Sequence, residues 1–342
     1  MVAVKYMIVR CLSVFALLAS AAHAFANVTV FSPGQNAKIV SPFWLSAAAS
    51  PCSSQPIAAV GYSFDDSTNT TVVYGTSISA VIGSSTGNHV LHIKSWGNQG
   101  ASCVSNVNLT VVPPPTSLVP SYANRATEVQ TLGGWLATAD IATGLGISKG
   151  LTALVSTPSL TGYSREFTTT FTDNSGERYY VPFGVDTGAQ NFFYDGWVYF
   201  AGSSNEVANL EMDMNQVMEN GQTVIFGFQC DGYSGTWDYT VNAGTPQQPN
   251  DQWRRSTSEC NPREWSSNTW HHIQISYSRD GAGNVTYKSV WLDNVESDFY
   301  VTVPSAFALG WTPTLLTNFQ VDGLGGSGSS QVYLDNLTIY WW

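Results

Sequence analysis

Basic residues are scarce in this sequence, and charged residues of either sign are few. Only 11% of the 342 residues are Asp, Glu, Lys or Arg, and 13 basic residues stand against 24 acidic ones, which gives a formal charge of −11. A nucleic-acid-binding protein needs a basic surface for the phosphates, so nucleic acid is not an expected partner. The acidity also disfavours anionic polysaccharides, although the arginines from Arg125 onward leave room for a local basic cleft.

Long apolar runs are also missing, apart from one near the N-terminus. The run CLSVFALLASAA follows Lys5 and Arg10 and precedes the small-x-small sequence Ala22-His23-Ala24. It is shorter than the roughly 20 residues that a membrane span requires, and the pattern is typical of a secretory signal peptide, which we predict over residues 1–24. We therefore expect a secreted protein, extracellular or periplasmic, with no membrane insertion and a formal charge of −13 after cleavage.

Cysteine is rare, and no pair has the CxxC spacing of a zinc site. Loss of the leader removes Cys11 and leaves Cys52, Cys103, Cys230 and Cys260. An even number of cysteines in an exported chain predicts disulfides. Three pairings are possible, and because two cysteines lie in each half of the chain, we favour Cys52–Cys103 and Cys230–Cys260.

Amphipathic helical patterns are absent, and short alternating segments take their place. Residues 27–112 and 121–342 both consist of predicted strands separated by turn clusters such as SPGQN and GNQGAS. Such patterns are typical of β-sandwiches. Between them, VPPPTSLVP has three consecutive prolines, which favour an extended, semi-rigid spacer. The sequence predicts an all-β protein with a sandwich over 27–112, a linker over 113–120 and a larger sandwich over 121–342.

Two resemblances refine this division. The segments VTVFSPGQNAKIVSPFWLSAAAS and TGNHVLHIKSWGNQG resemble bacterial Ig-like modules of secreted enzymes and adhesins, which implies a spacer or a binding accessory. The segments NTWHHIQISYSRDGAGNVTYKSVWLDN and VYLDNLTIY resemble the concanavalin-A-like lectin/glucanase class, including laminin-G-like and laminarinase-like domains. The second resemblance implies a jelly roll over 121–342 with a concave, glycan-facing sheet.

The stretch NLEMDMNQVM, residues 209–218, carries the predicted site. Strand alternation places Glu211, Asp213 and Asn215 on one face. The resemblance to laminarinases, whose strand reads Glu-x-Asp-x-Glu or Glu-x-Asp-x-x-Glu, implies that Glu211 matches the nucleophile and Asp213 the residue that tunes it. Positions 215 and 216 hold Asn and Gln where the general acid/base is expected, and an amide cannot transfer that proton.

The favoured interpretation is therefore binding of a largely neutral polysaccharide. Indole rings are flat and amphipathic and match the apolar face of a sugar ring. The predicted stacking residues are Trp237 and Trp253, and the predicted polar contacts are Glu211, Asp213, Asn215, Gln216, Gln229, Asp231 and Arg255.

Three alternatives stay open. A retaining glycanase would use Glu211 as nucleophile and an acid from another strand, with Asp231, Asp238 and Glu264 as candidates. A polysaccharide lyase would use His272, Gln274, Tyr277, Tyr233 and Arg263. A structural or adhesive surface protein needs no glycan, and the carboxylate strand is then half-buried sheet. No cofactor is expected, apart from a structural calcium ion that Asp335 and Asn336 could bind.

Overall fold

The computed structural model describes residues 28–51, 53–140 and 146–342. The predicted signal peptide and Cys52 lie outside these residues. The all-β prediction is confirmed, because the described residues form strands, turns and three short 3-10 helices and contain no α-helix. The 3-10 helices are Pro115–Leu118, Val129–Thr131 and Pro262–Glu264. None of the described residues belongs to a helix that could cross a membrane.

Eight strands precede residue 113. They are β1 (Val28–Ser32), β2 (Ala37–Val40), β3 (Phe43–Ala49), β4 (Ile57–Phe64), β5 (Thr71–Tyr74), β6 (Ser77–Ile82), β7 (Gly87–Gly97) and β8 (Ser102–Val112).

The larger C-terminal part contains the other strands. They are β9 (Asn124–Ala126), β10 (Leu136–Asp140), β11 (Ser148–Val155), β12 (Ser164–Thr172), β13 (Gly176–Gly184), β14 (Asn191–Phe200), β15 (Val207–Val217), β16 (Thr223–Phe226), β17 (Phe228–Asp231), β18 (Thr236–Asn242), β19 (Asp251–Glu259), β20 (Trp270–Arg279), β21 (Asn284–Leu292), β22 (Val295–Pro304), β23 (Ala306–Phe307), β24 (Leu315–Gly323) and β25 (Ser327–Trp341).

Two antiparallel sheets build the C-terminal part. The first, here called the site sheet, has the order β10-β13-β24-β15-β17-β18-β19, with β16 on β15 and β23 on β16. The second, here called the outer sheet, has the order β11-β12-β25-β14-β20-β21-β22, with β9 on β25. The two sheets enclose one hydrophobic core, as a β-sandwich requires. The finer prediction of a concanavalin-A-like jelly roll stays a prediction.

Aromatic rings fill the core between the sheets. Phe167 of β12 stacks on Phe319 of β24, with ring centroids 4.9 Å apart. Phe228 of β17 meets Tyr277 of β20 edge to face at 6.3 Å. Each ring comes from a position whose strand neighbours point the other way, so alternation in the sequence fixes which side chains enter the core. Burial of such rings contributes about 2–3 kcal/mol each.

The N-terminal part has its own core, lined by Leu45, Leu91 and Ile93 among others. A three-stranded sheet, β1-β3-β6, covers one side of this core, and β2, β8, β7, β4 and β5 cover the other. This is a second β-sandwich, and its membership of the Ig-like class stays a prediction.

The two parts share a sheet. Strand β2 pairs in parallel with β8 and antiparallel with β22, so the outer sheet continues into the N-terminal part as one 13-stranded sheet. Lys38 forms an ion pair with Asp298 across this seam. Beside the seam, Val40 packs with Phe193 and Trp291 in a small third core.

The predicted linker lies against this third core. Residues 115–118 form a 3-10 helix, so the segment is not extended throughout as the prolines suggested. Pro115 is buried, and Val119 packs on the third core.

The cysteine pairing is confirmed in the C-terminal part. Cys230 and Cys260 form a disulfide with a Cα–Cα distance of 5.3 Å, which ties β17 to the end of β19. Cys103 is disulfide-bonded. Its predicted partner Cys52 lies outside the described residues, and that pairing stays a prediction.

Candidate functional site

Strand β15 has two faces, as its sequence predicted. Leu210, Met212 and Met214 enter the core. Glu211 and Asp213 alternate with them on the opposite face of the site sheet, where neighbouring side chains leave each only 6% exposed. They are therefore buried groups rather than a solvated surface, and the polar face of the site sheet that carries them is here called the floor.

One amide connects three carboxylates on this floor. Gln320 of β24 lies directly opposite Glu211. Its Nε2 atom lies 2.8 Å from Glu211 Oε1, 3.1 Å from Asp322 Oδ1 and 3.1 Å from Asp140 Oδ2. An amide NH₂ has only two hydrogens, so it cannot serve all three carboxylates fully. The cluster is under-supplied with donors.

Arg178 of β13 is the cation of this floor. Its Nε donates to Gln320 Oε1 at 3.1 Å, and its guanidinium pairs with Asp140 at 3.2 Å. The Arg178 side chain is 41% exposed, so it borders the cleft and orients the central amide. Sequence reasoning missed Arg178, Gln320, Asp322 and Asp140, because only the pairing of β24 with β15 and of β13 with β24 brings them to Glu211.

Burial and mutual repulsion raise the pKa values of these carboxyl groups. Burial raises the pKa of Glu211 well above its ordinary value, and the charges of Asp213 and Asp322 add to this. Burial raises the pKa of Asp322 to about 7, helped by the charge of Asp140. The raised pKa values favour the protonated form of these carboxyl groups, and a protonated carboxyl group can donate as well as accept a hydrogen bond.

Asp213 has a backbone partner as well. Its Oδ1 accepts a hydrogen bond from the Phe228 N–H at 2.8 Å, which opposes the effect of burial. Burial is the larger effect, and it raises the pKa of Asp213 to about 7.

A second acidic pair continues the floor on β17 and β18. Asp231 and Asp238 flank Gln229, which lies opposite both Glu211 and Asp238. Burial is the main cause that raises the pKa of Asp238 to about 6, and the neighbouring Asp231 adds to it. Thr236 Oγ1 donates to Asp238 at 2.7 Å. The predicted residues Gln229 and Asp231 thus share the floor with Glu211.

Exposed tryptophans stand at both sides of the floor. On one side, a cavity of about 460 Å³ is lined by Arg178, Tyr180, Trp311, Leu316 and Asn318, among others. Trp311 is 43% exposed and was missed, because it lies in the loop before β24 rather than on a patterned strand. On the other side, β19 carries Trp253, which is 37% exposed. Its Arg255 lies directly opposite Asp238 in the pairing of β18 with β19.

Two predicted contacts are wrong. Trp237 is only 1% exposed and stacks on Phe228 inside the core, with ring centroids 5.1 Å apart, so it offers no face to a sugar. Gln216 also points away from the floor. Its Nε2 donates to the carbonyl of Ala189 at 2.9 Å and its Oε1 accepts from Arg279 Nε at 2.7 Å. Both residues occupy core-facing positions in the alternation of their strands.

Asn215 does share the face of Glu211. It is 2% exposed, and its Oδ1 atom has no hydrogen-bond partner among the described residues. A buried amide oxygen without a donor is costly.

The carboxylate of Asp335, the predicted calcium ligand, is held by protein hydrogen-bond donors. Its carboxylate is fully buried and accepts hydrogen bonds from Ser159 Oγ at 2.8 Å, Thr161 Oγ1 at 2.7 Å and Gln130 Nε2 at 3.1 Å. Backbone N–H groups of Leu160, Thr161 and Asn336 also donate to it. Calcium requires free oxygen ligands, and six donors already surround this carboxylate. No group of three acidic, histidine or cysteine residues suited to a metal occurs within the described ranges.

The residues of the lyase alternative are not brought together. His272 and Gln274 both bind Asp195 on the outer sheet, at 2.7 and 2.9 Å. Tyr277 lies in the core and donates to the Met212 carbonyl. Tyr233 lies beside the site sheet, where its hydroxyl contacts Asn174. Arg263 does lie near Tyr233, where its guanidinium donates to the Gly232 carbonyl, but a site shared by all five groups is wrong.

Glu264, an alternative acid partner for Glu211, lies away from the floor. It belongs to the 3-10 helix Pro262–Glu264, where it accepts a hydrogen bond from Asn261 Nδ2 at 3.1 Å. Asp231 and Asp238, the other two candidates, do belong to the site sheet.

The chain is similar to several solved structures, at low sequence identity. No protein-family model and no curated protein matches the chain. Among solved structures, the chain is similar to carbohydrate-binding modules from the beta-sandwich superfamily, with 13% identity, a TM-score of 0.33, and coverage of 91% of this chain and 96% of the other. The cellulose-induced protein Cip1 is similar with 13% identity, a TM-score of 0.34, and coverage of 56% of this chain and 85% of the other.

A family 11 carbohydrate-binding module from Clostridium thermocellum also shows similarity, with 14% identity, a TM-score of 0.26, and coverage of 64% of this chain and 96% of the other. TM-scores this low do not establish a shared topology, and they give no information on what this chain binds.

Proposed function

We propose that the site sheet binds a largely neutral polysaccharide across β24, β15, β17 and β18. The observation that carries this proposal is a floor of buried carboxyl and amide groups between two exposed tryptophans, Trp311 and Trp253. Sugar rings present apolar C–H faces to indoles and hydroxyls to polar groups. Partly protonated carboxyls suit hydroxyls because both can donate and accept.

Charge and shape narrow the ligand class. Five strands from β24 to β19 span roughly 19 Å at the usual strand spacing, which fits an extended chain better than a single ring. Ionised Glu211, Asp231 or Asp238 would repel a uronate, and Arg178 is already paired with Asp140. A neutral glycan therefore suits the cleft best.

Affinity electrophoresis of the mature protein through amorphous cellulose derivatives, β-1,3-glucan, xylan and mannan tests this proposal. Trp311→Ala and Trp253→Ala should each weaken retention on the preferred glycan about tenfold, since a stacking ring is lost. Trp44→Ala is the matched control, because Trp44 is 50% exposed on the N-terminal part. Equal retention of all four proteins would contradict binding at the site sheet.

A second candidate function is hydrolysis of the bound glycan. The same Gln320 nitrogen contacts Glu211 at 2.8 Å and Asp322 at 3.1 Å, so these two carboxyl oxygens lie at most about 6 Å apart, near the carboxyl separation of retaining glycosidases. One ionised carboxylate would attack the anomeric carbon, and the protonated one would give its proton to the leaving oxygen. Water would then release the sugar, with the second group acting as base.

Product release decides between the two candidates. New reducing ends from the wild type, absent in both Glu211→Gln and Asp322→Asn, would establish hydrolysis through this pair. Retention without product from the wild type would leave binding as the function.

A further inference from the structure

A second cavity lies on the other side of the sandwich, where the linker crosses the outer sheet. Its volume is about 460 Å³, within the range of ligand pockets. The linker contributes Pro113 and Leu118, and the outer sheet contributes Ser276 and Trp291. The cavity adjoins the seam where β2 joins β22. No residue that lines it belongs to the site sheet.

The lining is amphipathic. Trp291, Tyr300 and Trp342 supply aromatic surface, while Lys288 and Glu296 supply one charge of each sign. The two charges balance, so the cavity does not select a strongly charged ligand. Lys288 Nζ already donates to Asn191 at 3.2 Å.

Trp291 has an unused donor. The residue is 3% exposed, and its indole Nε1 has no hydrogen-bond partner among the described residues. A buried N–H without an acceptor costs roughly 1–3 kcal/mol. The Nε1 atom itself has almost no solvent-accessible surface, so a ligand oxygen reaches it only when the Trp291 ring moves toward the cavity.

A β-bulge places a third ring at this cavity. Phe299 and Tyr300 of β22 together oppose the single residue Lys288 of β21. Phe299 enters the core against Phe228, whereas Tyr300 has a φ of 47° and is 70% exposed. A tyrosine in the left-handed region is strained, and such bulges commonly re-aim a side chain beside a functional site.

We propose that this junction cavity is a second carbohydrate site, which takes one or two rings of a neutral glycan. The aromatic side chains would contact the C–H face of a pyranose, and a ring or hydroxyl oxygen would accept the Trp291 N–H once the indole ring has moved toward the cavity. Because the lining carries one charge of each sign, Lys288 and Glu296, a neutral glycan fits the cavity better than a uronate. This proposal goes beyond the function proposed above, because it concerns a different surface.

The test follows the indole N–H signals of the ¹⁵N-labelled mature chain by NMR. The Trp291 signal is identified as the one missing from Trp291→Phe. Cellotriose, laminaritriose, mannotriose and xylotriose are the probes. We expect at least one to shift the Trp291 signal in a saturable manner. Tyr300→Gly should weaken this binding about tenfold through loss of a stacking ring, and glycine accepts the positive φ without strain.

Two controls separate this proposal from the first. Tyr74→Ala removes another exposed tyrosine, 89% exposed on β5, and should leave the titration unchanged. Trp311→Ala removes the site-sheet contact and should leave the Trp291 response intact. A Trp291 signal that none of the four probes moves, or that responds equally in Tyr300→Gly, overturns the junction site. Retention that depends on Trp311 would then still support the site sheet.

Discussion

Two buried carboxylates of this protein, Asp335 and Glu211, contrast in their hydrogen-bond partners. Asp335 receives six hydrogen bonds from the loops around it. Glu211 shares one amide nitrogen with Asp322 and Asp140 and lies among other acids. A satisfied carboxylate fixes local structure, whereas an under-supplied one leaves lone pairs and protons available for a ligand. The surrounding hydrogen-bond donors, more than the residue type, therefore distinguish a carboxylate that anchors the fold, such as Asp335, from one that is available to a ligand, such as Glu211.

The largest expected effect on stability comes from replacing the anchoring carboxylate, Asp335. Asp335→Ala leaves several buried donors without an acceptor and should lower the free energy of unfolding by about 3–5 kcal/mol. Urea denaturation of the mature protein measures this, with Asp66→Ala in an exposed turn as control. A loss below 1 kcal/mol would remove the contrast between the two carboxylates.

The opposite result is expected at the site. Glu211→Gln removes a carboxyl group whose charge Asp213 and Asp322 repel, so the free energy of unfolding should stay level or rise by about 0.5–1 kcal/mol. Retention on the preferred glycan should nevertheless fall. A variant that is strongly destabilised would show that Glu211 is an anchor like Asp335.

The pH dependence of stability sharpens the comparison. Asp213 and Asp322 have folded-state pKa values of about 7, above their ordinary value of 3.8. Between these limits the folded state binds more protons than the unfolded state, so these groups make stability fall as pH rises from about 4 to 7. Melting temperatures from pH 4.5 to 8 should therefore show a smaller decline in Asp322→Asn than in wild type. Parallel curves would contradict the raised values.

The smallest effect on stability is expected for an exposed ring. Trp311→Ala should change the free energy of unfolding by less than about 0.5 kcal/mol, whereas Trp237→Ala should cost about 3–5 kcal/mol because a core cavity opens. Denaturation curves of the two variants measure the difference. Comparable losses would mean that Trp311 packs like a core residue.

The sequence could predict what local alternation determines. The two faces of β15 and the Cys230–Cys260 bridge were predicted correctly. The errors at Trp237 and Gln216 were avoidable, since both share the alternation phase of core residues, Trp237 with Tyr239 and Gln216 with Met214. Strand alternation determines which face of the sheet a side chain occupies, whereas the residue type alone does not.

Local sequence patterns could not predict the hydrogen-bond partners of Glu211. Gln320 lies 109 positions away in sequence, and its contact depends on the register between β24 and β15. A shift of one residue would turn Gln320 to the other face. The sequence pattern of one strand does not determine which distant strand pairs with it. The shortage of hydrogen-bond donors around Glu211 is therefore visible only in the folded structure.

The seam between β2 and β22 has a consequence for how the protein would meet an insoluble glycan. Two residue pairs between β2 and β22, together with the third core, join the N-terminal part to the outer sheet and limit its rotation about the linker. The two proposed sites, the site sheet and the junction cavity, would then stay at a constant separation, so little further freedom is lost when the second one binds. The avidity for an insoluble glycan would then depend on whether the spacing of its chains matches the separation of the two sites. The protein would therefore select a glycan by its repeat distance as well as by its sugar.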